Sequence, residues 1–434
     1  MKIAHITAGA GHMYCGSCLR DNTLAAALLG AGHEVLLIPT YTPARTDEGN
    51  QGLNRVFLGG INVYLQQNFK LFRSTPWILD RLLDFPPLLR FTTRWGVSVD
   101  PARLGALTLS MLQGTDGLQR KEILKLVRFL AGEVAPEVVN IPNSLLIALA
   151  PAIKAEMAVP VCCTLQGEEL FLDGLGEPYR REALRLIRAH AAHVDAFMAV
   201  SRFGAQQMAG YLGIARDRIH VVPLGINLDG HRRRQGPEPE PFTIGYLARI
   251  APEKGLHALC AAYRCLRARP GIPPSRLRAA GYLAPGHRPY LAGIRQQMDA
   301  WGLAGHFQYQ GEVDREGKLS FLADLSVLSV PGPYPDPKGM FLLEAMASGI
   351  PVVQPRIGAF AEIVETTGGG ILVEPDNPES LAEGIWELWR DPARRRELGS
   401  RGYEGVRKHY SSAGMMARAL EVYESLLHRN KGSP

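Results

Sequence analysis

Cysteine is scarce: six in 434 residues are too few for a disulfide framework. Cys15-Gly-Ser-Cys18 raises a metal or redox reading, but no second such pair and no suitably spaced His pair completes a zinc site. Cys162 and Cys163 read as small apolar side chains of a strand. Cys260 and Cys265 read the same way in a helix, while Cys15 and Cys18 are placed by the loop they occupy. Long apolar runs are also missing, since none approaches the roughly 18 residues of a membrane span. Met1-Lys-Ile-Ala-His-Ile lacks the layout of a signal peptide, so the cytoplasm is the expected compartment. There is no extended Lys/Arg block and no zinc-finger spacing, and a net charge of +6 is too mild to argue for nucleic acid. That charge suits anionic substrates or an anionic membrane surface.

What is present is an ordinary globular composition, 46% apolar and 21% charged, on a chain long enough for two to three domains. Short apolar strands alternate with helical segments. Lys2–Thr7, Glu34–Pro39, Glu137–Ile141, Pro160–Leu165, Asp195–Val200 and Arg218–Val222 are the strands of a first half. Such alternation predicts a parallel sheet wound on both faces. Residues 41–120 are less regular. There Trp77, Leu82, Phe85, Phe91 and Trp95 form an aromatic-rich helical stripe with Arg81, Arg90 and Arg94 between them. A helical insertion packed on the domain accounts for it first, and a membrane-surface or lipid-acceptor patch second. Asn227 to Pro241 is polar and Pro-rich, the composition of a semi-rigid linker, and its Arg232-Arg233-Arg234 run reads as solvated surface. A second αβ domain begins at Phe242.

The densest signal is Asp336-Pro-Lys-Gly-Met-Phe-Leu-Leu-Glu344-Ala-Met-Ala-Ser-Gly349-Ile-Pro-Val-Val353. Asp336 lies in a Pro/Gly-rich loop. From Gly339 the apolar spacing predicts a short helix, with Gly349 as its C-cap, followed by an inner parallel strand. Two carboxylates eight residues apart therefore flank one helix start, whose free N–H groups and positive dipole end suit a phosphate. Carboxylates beside a phosphate would be repelled, so they more naturally accept hydrogen bonds from sugar hydroxyls. Together these are the parts of a sugar-nucleotide site. The plainer alternative is an αβ unit with surface acids.

This stretch closely resembles the acid-x7-acid signature of the retaining family-4 glycosyltransferases. The resemblance implies the GT-B fold, an α/β architecture of two Rossmann-like doubly wound domains with a cleft between them. It implies an N-terminal acceptor domain over residues 1–228, with a helical insertion at about 66–130, and a linker over 229–241. The donor domain would be 242–412, and 413–434 would return to the N-terminal domain. Arg249 and Lys254-Gly255 resemble the family's Arg-x4-Lys-Gly element, which grips the donor diphosphate. Two fixed cations there would stabilise charge on a leaving group. By the same resemblance Glu344 binds the ribose and Asp336 the donor sugar. The amides near Gly339, Met340 and Phe341 assist Gly16 at the diphosphate, and Gly311 to Val313 border the nucleobase. Glu168 and Glu169 are acceptor-side candidates beside Gln166, although exposed loop acids are usually just solvated. The chain departs from the family pattern at three places. Asp336 replaces the usual Glu, Cys15 replaces the first glycine of a Gly-Gly pair, and Gln166 stands where a His is common. Gln166 cannot act as a base, which matters less under a front-face retaining mechanism.

The expected function is therefore transfer of a sugar from a UDP-, GDP- or ADP-sugar to a glycan, lipid or small-molecule acceptor, with retention. No bound cofactor or metal and no nucleic acid are expected, and contact with the inner membrane face stays open. A nucleotide-sugar epimerase, or a silent sugar-nucleotide-binding protein, is the alternative.

Overall fold

The computed structural model of the chain describes residues 1–9, 15–53, 55–59, 63, 66, 67, 101–234 and 236–431. The aromatic stripe from Trp77 to Trp95 lies outside them. Two compact units emerge, Met1–Gly225 with Met415–Pro434, and Ile226–Gly414.

In unit 1, six strands form one sheet: β1 (Lys2–Thr7), β2 (Glu34–Pro39), β3 (Val138–Ile141), β4 (Val161–Leu165), β5 (Ala196–Ala199) and β6 (Ile219–Val221). Their order is β2-β1-β3-β4-β5-β6 and every pairing is parallel. β3, β4 and β5 are buried along their whole length, the mark of inner parallel strands covered on both faces. Successive residues feed opposite cores. Ala4, Val139, Cys163 and Phe197 join one apolar cluster, while Ile3, Val138, Cys162 and Met198 join the other. The second cluster is closed by Leu24 and Leu28 of the helix Gly16–Gly30. It is also closed by Met415, Ala419, Val422, Tyr423 and Leu426 of the helix Ser412–Lys431. All six cysteines are free.

Unit 2 repeats the plan with β7 (Phe242–Leu247), β8 (Ser275–Ala280), β9 (Phe307–Tyr309), β10 (Val327–Leu328), β11 (Val352–Pro355) and β12 (Gly370–Val373). The order is β12-β11-β10-β7-β8-β9, again all parallel. The chain runs outward from β7 through β8 and β9. It then returns to lay β10 on the other side of β7, so the winding reverses between β7 and β10.

In the polar stretch after Asn227, Arg232 and Arg233 are exposed, as the composition suggests, but several of its residues are tied down. His231 is buried, its Nδ1 lies 2.8 Å from the Ser348 hydroxyl, and its carbonyl accepts from the Arg407 guanidinium at 3.0 Å. Arg233 donates to the Ser400 hydroxyl at 2.7 Å, Arg234 to the Leu325 carbonyl at 2.9 Å, and Glu238 accepts from Arg395 Nε at 2.8 Å. Guanidinium forks find carbonyls and carboxylates that composition cannot reveal. Among the described residues no helix is long and apolar enough to cross a membrane.

Tyr423 is fully buried, and among the described residues its hydroxyl has no hydrogen-bond partner. Its worth to unit 1 is therefore packing. Tyr423→Ala should lower the stability of unit 1 in urea titrations by about 3–5 kcal/mol. Tyr423→Phe should change it by less than about 1 kcal/mol, because no hydrogen bond is lost. Equal losses in the two variants would contradict this reading.

Candidate functional site

In an open parallel sheet, ligands bind beyond the carboxyl ends of the strands where the winding reverses, because the two flanking loops diverge there. In unit 2 those loops follow β7 and β10. The first carries Arg249 and Lys254, and the second carries Asp336. Gly255 packs the loops together. Its φ is +72°, and a Cβ there would sit 2.1 Å from the Pro331 carbonyl oxygen, so only glycine fits the approach.

Lys254 Nζ donates to Asp336 Oδ2. Asp336 Oδ1 accepts from the Lys338 amide at 2.9 Å, an Asx turn, and the Asp336 carbonyl accepts from the Ala359 amide at 2.9 Å. Burial alone would raise this carboxyl. The charges of Lys254 and Lys338, with their hydrogen bonds, overcome that and hold it at about 2, against an ordinary 3.8. Lys254 Nζ also lies 5.9 Å from the centroid of the Phe341 ring. Arg249, more exposed, pairs with Glu253 at 3.1 Å, and its carbonyl accepts from the Tyr246 hydroxyl at 3.0 Å.

The helix Met340–Ala347 begins at Gly339, whose φ of +62° turns the loop into the helix. Its sequence is almost wholly apolar, and Phe341 to Ala347 are all buried. Glu344 is the acid among them, and its Oε1 accepts from Lys318 Nζ at 2.6 Å. Lys318, in the helix Arg315–Ala323, carried no sequence reading. A faint signal existed, since residue 318 falls on the stripe of the buried Phe321 and Leu322.

Gly311 and Val313 follow β9. The Gly311 carbonyl accepts from the Gly281 amide at 2.8 Å, which ties the β8 and β9 ends together. Arg249, Lys254, Gly311, Val313, Asp336, Gly339, Met340, Phe341 and Glu344 thus all belong to unit 2. Of these, Lys254, Asp336 and the start of the Met340 helix are in direct reach of one another.

Gly16, Gln166, Glu168 and Glu169 belong to unit 1. Gly16 opens its helix, and among the described residues a Cβ there would meet nothing within 4 Å. Glu168 and Glu169 differ from the expected solvated loop acids, being 6% and 3% exposed. The Glu168 oxygens accept from the Ser144 and Gln166 amides, each at 2.8 Å. Burial raises its carboxyl despite those bonds. Gln166 Nε2 donates to the Pro142 carbonyl at 3.0 Å, and among the described residues its buried Oε1 has no partner. Behind it sits a cluster missed by sequence reasoning. Asp21 accepts from Thr7 at 3.0 Å and Arg20 at 3.1 Å, with His5 Nε2 at 3.3 Å. Although burial opposes it, the charges and hydrogen bonds of His5 and Arg20 lower the Asp21 carboxyl. Among the described residues no group of His, Cys, Asp or Glu could hold a metal ion.

Residues 229–405 match the family described as Glycosyl transferases group 1, and residues 111–229 match Glycosyltransferase Family 4. The chain belongs to the family-4 glycosyltransferases. A GDP-mannose-dependent alpha-(1-6)-phosphatidylinositol monomannoside mannosyltransferase of Mycobacterium tuberculosis is 28% identical, over 59% of this chain and 68% of that protein. An exopolysaccharide phosphotransferase of Streptomyces coelicolor is 30% identical over 67% of this chain, which spans only 29% of that protein. Among solved structures, sucrose-phosphate synthase from Thermosynechococcus elongatus superposes with a TM-score of 0.72 at 18% identity, covering 98% of this chain and 99% of that one. Anabaena HepE, solved with UDP, gives 0.67 at 17%, covering 98% and 100%. The fold of this family-4 chain is GT-B.

The depressed Asp336 carboxyl has a sign. Its folded value of about 2 lies below the unfolded one, so its contribution is complete above about pH 4 and is lost as pH falls through 2. Between pH 5 and 2 the stability of unit 2 should fall by on the order of 2 kcal/mol more in the wild type than in Asp336→Asn. Parallel pH profiles from denaturant titrations would rule out the pairing.

Proposed function

We propose that the chain transfers a sugar, with retention at the anomeric carbon, from a nucleotide-diphospho-sugar to a hydroxyl of a glycan, lipid or small-molecule acceptor. The observation that carries this reading is the meeting of Lys254, Asp336 and the N-terminus of the Met340 helix where the β7–β10 winding reverses. Cations and bare amides there suit a diphosphate, and carboxylates suit hydroxyls.

In this reading Arg249 and Lys254 hold the diphosphate, with the amides of Met340 and Phe341. Asp336 takes hydroxyls of the donor sugar, and Glu344 takes those of the ribose. Gly311 and Val313 border the base. Lys254 pairs with Asp336 and Arg249 with Glu253, so donor binding would exchange internal acids for phosphate oxygens. As the anomeric C–O bond breaks, its electron pair goes to the diphosphate, where the two cations stabilise it. The acceptor oxygen attacks from the same face, and its proton passes to the departing phosphate oxygen. Gln166 cannot take that proton. Glu168 and Glu169 serve acceptor recognition. Shortening the usual Glu to Asp336 alters the sugar preference, because its Oδ1 is committed to the loop's own turn.

The mycobacterial relative is named as GDP-mannose-dependent and the Anabaena structure contains UDP, so GDP- and UDP-sugars head the donor candidates. A hydrolysis screen of UDP-, GDP- and ADP-sugars should reveal turnover of one class, and NMR of the transfer product should show the donor's anomeric configuration. Arg249 is partly exposed, so Arg249→Ala should fold normally and lose about 100-fold or more in kcat. No binding of any of these sugars by calorimetry would sink the proposal.

A further inference from the structure

Glu344 and Lys318 are both nearly sealed from solvent, with side chains 10% and 8% exposed, and their bond is 2.6 Å long. A pair this buried is a poor source of stability. Desolvating two charges cancels much of their attraction, and apolar side chains of similar volume would serve the fold as well or better. An apolar pair could not orient a carboxylate. Lys318 occupies Oε1 as a point donor, which fixes the plane of the group and leaves Oε2 to define what Glu344 offers.

We infer that Lys318 is a positioning residue for the donor nucleotide. By holding Oε1 of Glu344 it presents Oε2 to the vicinal ribose hydroxyls, and so makes the chain selective for ribonucleotide over deoxyribonucleotide donors. The inference rests on the assignment of Glu344 to the ribose. A carboxylate oxygen with two lone pairs can accept from both hydroxyls, and bonds to a charged acceptor are the strong ones. A small error in its direction is therefore costly to recognition.

Calorimetry separates the possibilities, with UDP, GDP and their 2′-deoxy and 3′-deoxy forms as probes and inorganic pyrophosphate as the control. The wild type should bind the ribonucleotide about 10-fold or more tighter than either deoxy form. Lys318→Met should reduce that ratio below about 3-fold while pyrophosphate affinity stays the same. Because this variant leaves a buried acid unpaired, Lys318→Arg provides the second arm. Arginine keeps the charge and the fold, but its bidentate fork covers both Glu344 oxygens, so the ratio should collapse here as well. A purely structural role predicts that Lys318→Arg keeps the wild-type ratio, and that result would overturn the inference. A wild type with no ribose preference would instead overturn the Glu344 assignment itself, and the inference with it.

Discussion

The site in unit 2 depends on one contact, the ion pair between Lys254 and Asp336. These side chains are 82 residues apart and come from loops on neighbouring strands. Their meeting follows from the order of the sheet. Because β10 returns beside β7 rather than continuing past β9, the loops after β7 and β10 open from adjacent positions and face each other. Gly255 then lets the loops touch, since any side chain there would strike the Pro331 carbonyl. Charge complementarity at the contact then holds the two loops together.

The second acid is arranged differently. Glu344 sits in a helix buried along nearly its whole length, where an unpaired carboxylate would be costly. Lys318 resolves that cost from a separate helix. The two acids of the signature are thus each matched to a lysine, Asp336 to Lys254 and Glu344 to Lys318. A buried acid at Glu168, held by two amides rather than by a cation, gives unit 1 a polar centre of another kind. There, burial wins over hydrogen bonding and the carboxyl rises. At Asp336 lysine charge reverses the balance and the carboxyl falls.

Much of the fold was legible in the amino-acid order. Strands such as Lys2–Thr7, Glu34–Pro39 and Phe242–Leu247 are short apolar runs between helical segments, and a helix from Met340 follows from apolar spacing after a glycine. Local patterns of this kind are written in neighbouring residues. Two readings differed, in each case with a partner well removed along the chain. Glu168 and Glu169 looked like solvated loop acids, but backbone amides of Ser144 and Gln166 bury the first of them in place. Of the arginines at 232–234, Arg232 and Arg233 are exposed as the composition suggests, but Arg234 is half-buried and reaches the Leu325 carbonyl. Lys318 drew no reading at all, because its acid, Glu344, comes from another helix 26 residues on.

By itself the sequence determined the alternation of strands and helices, the glycines that permit tight turns, and the residue types able to bind a diphosphate and hydroxyls. These are properties of a residue and its near neighbours, set by sterics and periodicity. Tertiary structure alone decided which lysine meets which acid, which polar groups lost their water, and in which direction each carboxyl shifted. Electrostatic energies depend on separation in space and on local burial, and neither is encoded by distance along the chain.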